Sequence, residues 1–166
     1  MKISVKRKLE IKIKTIISKI ILFFLFRGFK ATYKYDKRVR NEIDNWKEGF
    51  SIKLQIAPNG SCLNIKKTKE GLIKPKEIEN PNIAICFKSI DAAFLVLTGR
   101  LAVSGAYAGH RFKLSGEISE AMSFVRCVDI VEAYLFPKFI TKRILKEVPK
   151  KYANIITTYR YVLFNF

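Results

Sequence analysis

Acidic residues, histidine and cysteine are all scarce in this chain. Asp and Glu number 14 against 32 Lys and Arg over 166 residues, and no paired-carboxylate motif appears. His110 is the only histidine. Ser104, Ser115 and Asp129 would complete a hydrolytic set on paper, but a triad means nothing without geometry, and no nucleophile elbow is present. The three cysteines, Cys62, Cys86 and Cys127, form neither Cys-x-x-Cys nor a zinc spacing. They read as buried, reduced thiols of a cytosolic protein. Asn59-Gly60-Ser61 has no Lys-Ser/Thr behind it, which excludes a phosphate loop. The longest apolar run, Ile20 to Phe26, falls far short of the about 20 residues that span a bilayer. No signal peptide with a cleavage site is recognisable. Metal, disulfide, nucleotide and transmembrane classes therefore lose their usual sequence marks, no cofactor is expected, and an enzyme is disfavoured.

Apolar residues make up 49% of the chain and the formal net charge is +18, a pairing that argues for a folded core rather than disorder. The length is that of one domain. Basic excess sits at the ends: 14 Lys/Arg against 5 Asp/Glu up to Phe50, and 7 against 1 from Lys138. Basic ends interleaved with large apolar residues suit an anionic membrane surface better than nucleic acid. The division expected is an amphipathic arm over 1–33, a central domain over 34–149 and an aromatic tail over 150–166.

In the arm, Ile13, Ile16, Ile17, Ile20, Ile21 and Phe24 recur at helical spacing, with Lys12, Lys14, Ser18 and Lys19 mostly off that face. Gly28 is expected to end the helix. Either this helix covers the sheet or a second subunit in a homodimer, or its apolar face sits in the headgroup boundary with Lys2, Lys6, Arg7, Lys8 and Arg27 near anionic lipid. Membrane contact would fall on Lys12, Lys19, Ile20, Phe23, Phe26 and Arg27. A second helix is expected from the cap residue Asp36, with Val39, Ile43 and Trp46 inward.

Phe50, Ile52, Leu54 and Ile56 alternate with polar residues as a strand does, Pro58-Asn59-Gly60 supplies a turn, and Ser61 to Lys67 return. Pro75 confines any strand over Leu72 to Glu79 to an edge. Ile83 to Phe87 is apolar on both faces and belongs inside the sheet. Ser89 caps a helix that Gly99 ends. Ala102 to Gly109 is a loop of small residues, Phe112 and Leu114 alternate with basic residues as an edge strand, and a helix follows from Glu117. Asp129 and Glu132 have the spacing of a capping box, which predicts a helix break near Cys127. Pro137 starts another helix, and Tyr152, Ile155, Ile156, Tyr159, Leu163 and Phe166 recur at helical spacing beyond it.

Phe94, Leu97, Gly99, Arg100, Leu101, Gly109, Arg111, Lys113, Gly116 and Ala121 stand in an order that resembles the sterol carrier protein family, the type-two or nonspecific lipid-transfer domain. The resemblance implies an α+β fold, a mostly antiparallel sheet of about five strands covered by helices, with an apolar tunnel or cavity. It favours Phe87, Ile90, Phe94, Leu97, Leu101, Val103, Ala106, Tyr107, Phe112, Leu114, Met122, Val125 and Tyr134 as lipid contacts. Arg100, His110, Arg111 and Lys113 are candidates for a headgroup at the tunnel mouth. The function expected is noncatalytic lipid binding or presentation by a cytoplasmic protein, with peripheral contact at the inner face of the membrane. An accessory protein for membrane lipid-modifying enzymes is the alternative, and nucleic-acid binding a weaker one.

Overall fold

The computed structural model describes residues 5–57, 60–145, 147–151 and 154–164. Lys2, the Pro58-Asn59 turn, Tyr152 and Phe166 lie outside them. Helix α1 (Val5–Tyr35) and helix α2 (Lys37–Asp44) lead into strands β1 (Ser51–Ile56), β2 (Cys62–Thr68), β3 (Gly71–Ile73) and β4 (Ile83–Phe87). Helices α3 (Ile90–Leu97) and α4 (Val103–Ala108), strand β5 (Phe112–Ser115) and helices α5 (Ile118–Leu135), α6 (Lys138–Ile144) and α7 (Ile155–Phe164) complete the order.

The five strands form one sheet in the order β3-β2-β1-β4-β5. Three pairings are antiparallel and one, β1 with β4, is parallel, so the sheet is mixed. Side chains alternate across a strand, and the register collects one apolar face: Leu54 lies opposite Leu63 and Ile85, and Phe87 opposite Ile56 and Phe112. On the other face, the Asn64 amide donates 2.8 Å to the Lys76 carbonyl, tying down the segment after β3. β3 stops two residues before Pro75, as an edge strand should.

Helix α1 packs on α2, α3, α5 and α7. It does not end at Gly28. That glycine is buried in mid-helix, where an added Cβ would lie 2.8 Å from Val131 and 3.0 Å from Leu135 of α5. Glycine is kept there for close approach of two helices, despite its low helix propensity. Gly99 does end α3, at φ 66°, and its bare Cα also admits Ile140 of α6.

Three further local expectations are corrected. Ala102 to Gly109 is mostly the short helix α4, because small residues tolerate a helix as well as a loop. Helix α5 runs unbroken past Cys127, so Asp129 and Glu132 are one turn apart inside it and cap nothing. Burial of the surrounding Ile130, Val131 and Ala133 overrides the local capping signal. Of the cysteines, only Cys127 is buried, where desolvation pushes its thiol up to about 12; Cys86 is half-buried and Cys62 exposed.

The Asp36 cap is present and fully buried. Its carboxylate accepts from the Arg38 backbone N–H at 3.0 Å, from the Arg38 guanidinium at 2.7 Å and from the Tyr134 hydroxyl at 3.1 Å. Burial alone would push this carboxyl up, but these bonds outweigh it and hold it below the usual range.

Gly28→Val should force α1 away from α5 and lower stability by about 1–3 kcal/mol, read as a drop in urea midpoint with unchanged far-ultraviolet helix content at low denaturant.

Candidate functional site

Two adjoining apolar cavities, which share lining residues, lie among the helices. The outer is a cleft of about 290 Å³ between α1, the end of α3, the end of α5 and α7. Ile21, Phe24 and Leu25 of α1 form one wall, Leu135 and Phe136 the floor, and Val162 and Leu163 of α7 the opposite wall. The inner cavity, about 40 Å³, sits over the apolar face of the sheet against Leu54, Ile85 and Phe87. Leu25, Leu97 and Glu132 line both cavities, so they form the partition.

Helix α7 is held over the cleft by polar contacts at its edges. The Tyr159 hydroxyl donates 2.9 Å to the Leu135 carbonyl, and the Arg27 guanidinium donates to the carbonyls of Val162 and Leu163 at 2.8 and 2.7 Å. Cations are favoured at a helix C-terminus, where carbonyls lack intrahelical partners. Arg27 also lies over the Phe23 ring, 4.7 Å from its centroid.

Glu132 is the charged exception in an otherwise mostly hydrocarbon wall. It is 8% exposed, and no hydrogen bond or ion pair among the described residues reaches its carboxyl. Burial pushes that carboxyl up from 4.5 to about 8, and the like charge of Asp129 adds to the effect. Asp129, half-buried one turn earlier, is itself pushed up by burial.

The expected lipid contacts divide into four groups. Phe87, Leu97, Val103, Phe112 and Val125 line the inner cavity. Ile90, Leu101 and Leu114 pack against the core beside it, and Ala106 is fully buried. Phe94 lies under two cations, with Lys14 5.7 Å and Arg100 5.4 Å from its ring centre. The rest point elsewhere: Tyr107 and Met122 are half exposed, and Tyr134 serves the Asp36 cap. Arg100, His110, Arg111 and Lys113 are exposed around α4 and β5 and line neither cavity. His110 has φ 50° in the turn after α4, and no hydrogen bond among the described residues joins it to Ser104, Ser115 or Asp129.

The walls contributed by α1 and α7, and Glu132 itself, were not anticipated. The signal for Glu132 was available: it is a single carboxylate inside the apolar run Ile130 to Leu135.

Around α1, the face predicted as apolar is split. Ile17, Ile21 and Phe24 turn toward the domain, whereas Ile13, Ile16 and Ile20 face outward with Val5, Leu9 and Phe23. These six exposed residues recur every three or four positions, forming one stripe along the helix. Exposed Lys6, Lys12 and Lys19 flank it, while Phe26 and Arg27 are half-buried. The inner face carries Ser18, Leu22, Leu25 and Phe29. Near its start, Arg7 and Lys14 pair with Asp91 in the first turn of α3, the Lys14 contact at 2.6 Å. Those bonds, from Lys14 before Arg7, hold the Asp91 carboxyl below its usual range against partial burial.

With this geometry in view, the chain can be set beside known proteins. Solved sterol carrier protein domains are similar to it. A UbiJ-SCP2 ubiquinone synthesis protein is 12% identical, with a TM-score of 0.46, over 75% of this chain and 99% of that one. Sterol Carrier Protein 2 from Yarrowia lipolytica in its apo form is 14% identical, with a TM-score of 0.48, over 69% and 91%. The sterol carrier protein domain 2 of Helicoverpa armigera is 17% identical, with a TM-score of 0.40, over 65% and 87%. No family model and no curated protein matches the chain. Among the described residues, no helix is long and apolar enough to cross a membrane, and no group of three or more His, Cys, Asp or Glu could hold a metal ion.

Two outcomes follow from the site's polar groups. Below pH 4.5 Glu132 is protonated whether the chain is folded or not; between there and about 8 only the unfolded chain releases the proton. The stability present at low pH is therefore lost as pH rises through this window, by up to about 1.4 kcal/mol per unit, and Asp129 acts in the same direction. Glu132→Gln should match the unaltered protein near pH 5 and exceed it increasingly toward pH 9 in thermal melts. Tyr134→Phe should instead cost about 1.5–3 kcal/mol by removing a bond to a charged group, with no effect on occupancy of either cavity.

Proposed function

We propose that this protein binds a lipid or other long apolar molecule in the cleft beneath α7, without turning it over, and does so at a membrane surface. The observation that carries the reading is a pair of adjoining cavities lined almost wholly by hydrocarbon, the outer one flanked by a helix held at its edges. At about 290 Å³ the outer cleft falls near the lower end of small-molecule sites, about 300–1,000 Å³. Burial of a chain contributes about 0.8 kcal/mol per methylene, so a long apolar chain can be held there without a charged contact. The resemblance of the Phe94 to Ala121 region to lipid-transfer domains points the same way.

The stripe on α1 supports the membrane part. Contiguous exposed apolar surface is uncommon on a free domain, and here it is flanked by lysines that attract anionic lipid, about 1 kcal/mol each near the surface. The net charge of +18 gives the whole chain the same preference. The cytoplasmic face of a membrane, which carries the anionic lipid, is the location this favours.

Two measurements test the two parts separately. Delipidated protein should take up a fluorescent fatty-acyl probe, and Leu97→Trp, which fills the partition, should weaken uptake at least about tenfold; equal uptake by both would sink the cleft reading. In flotation with phosphatidylglycerol vesicles, Ile16→Glu with Ile20→Glu should abolish binding while leaving probe uptake intact. Binding by the unaltered protein should fall steeply with salt and be weak to phosphatidylcholine alone. If the stripe variant loses a copurifying protein but not vesicle binding, the accessory-protein reading replaces the membrane one.

A further inference from the structure

We infer that the cleft takes its ligand polar end first, and that Glu132 selects a single-chain amphiphile ending in a hydroxyl or an amine. The inference rests on the cleft being a binding site, and deepens that reading by naming the ligand's class and direction.

Three observations combine. Glu132 lies at the partition, so the inner end of any chain in the outer cleft meets it. It is more than nine-tenths buried and has no partner among the described residues. A buried polar group left unpaired is costly, and a ligand atom is the partner the geometry leaves open. The other polar side chain on the cleft wall, Tyr159, already donates to the Leu135 carbonyl. Glu132 is therefore the unpaired polar contact available to a ligand among the residues lining the cleft.

The sign of the headgroup follows from the charges nearby. Among the described residues Asp129 is the charged neighbour that acts on Glu132, and its charge is also negative. Among those residues no Lys, Arg or His lines either cavity, so an inward carboxylate or phosphate would be buried without compensation. A hydroxyl can donate to the carboxyl and accept from it when protonated, and an ammonium can pair with it when ionised. The chain then trails outward between Phe24 and Leu163, toward the side where Phe23 and Leu163 are exposed.

Displacement of a bound fluorescent acyl probe tests this with four competitors of equal chain length: 1-dodecanol, its methyl ether, dodecylamine and laurate. At pH 7 the alcohol and the amine should displace the probe at about tenfold lower concentration than the ether or laurate, the size expected of one added hydrogen bond in a dry site. Glu132→Leu should bring all four within about twofold of one another. Glu132→Gln, which is close in shape, should keep the preference for the alcohol over its ether and lose that for the amine. The inference is overturned if the unaltered protein binds laurate as tightly as the alcohol, or if Glu132→Leu leaves the order unchanged. If no acyl probe binds at all, the cleft reading fails with it; if all four competitors bind equally well, the cleft stands and the selection by Glu132 does not.

Discussion

The close packing of α1 against α5 is the constraint on which the rest of the structure depends. Helix α1 touches α2, α3, α5 and α7, and at Gly28 it comes so near α5 that a side chain at position 28 would press on Val131 and Leu135. That approach places Leu25, one turn earlier, beside Leu97 and Glu132, which makes the partition between the two cavities. It also carries Arg27 to the end of α7, where its bonds to two carbonyls hold the cover in place. The cleft is thus less a hollow in a sheet-and-helix sandwich than a gap left where helices from both ends of the chain meet.

Much of the sheet was legible in the sequence because period-two alternation is a local property. Ile52, Leu54 and Ile56 declare one face of β1, and Pro75 announces the limit of β3. The cap residues Asp36 and Ser89 and the stop at Gly99 were equally local, and each does what its chemistry predicts. What could not be read was orientation. The spacing of α1 marks an apolar face, but apolar residues spread beyond it and from Ile20 to Phe26 go all round the helix, so the packing partners decide which face turns inward. They select Leu22, Leu25 and Phe29 and leave Ile13, Ile16 and Ile20 outside.

Glu132 shows the same limit in reverse. Three residues after Asp129, its spacing is that of a helix start, and local chemistry favours that assignment. Tertiary burial decides otherwise, since Val131 and Ala133 on either side are wholly inside. A carboxylate so placed opposes folding at neutral pH, and natural chains rarely keep such a group without a task. The inner cavity is lined by Phe87 and Phe112 of the strands together with Leu97, Val103 and Val125 of α3, α4 and α5. Alternation in the sequence marks only the two strand residues, and the helical ones come from helical spacing and the family resemblance.

The contact between Arg27 and the end of α7 spans 135 residues of chain. During synthesis at about 5–20 residues per second, that distance corresponds to roughly 7–27 s in which α1 has left the ribosome and its final cover has not. Through that interval the side of α1 that α7 later covers is bare, even after α2, α3 and α5 have packed on its other inner residues, and the stripe stays outside throughout. The order of the chain therefore makes its first helix a hydrophobic nascent segment, open to whatever apolar surface it meets before the domain closes.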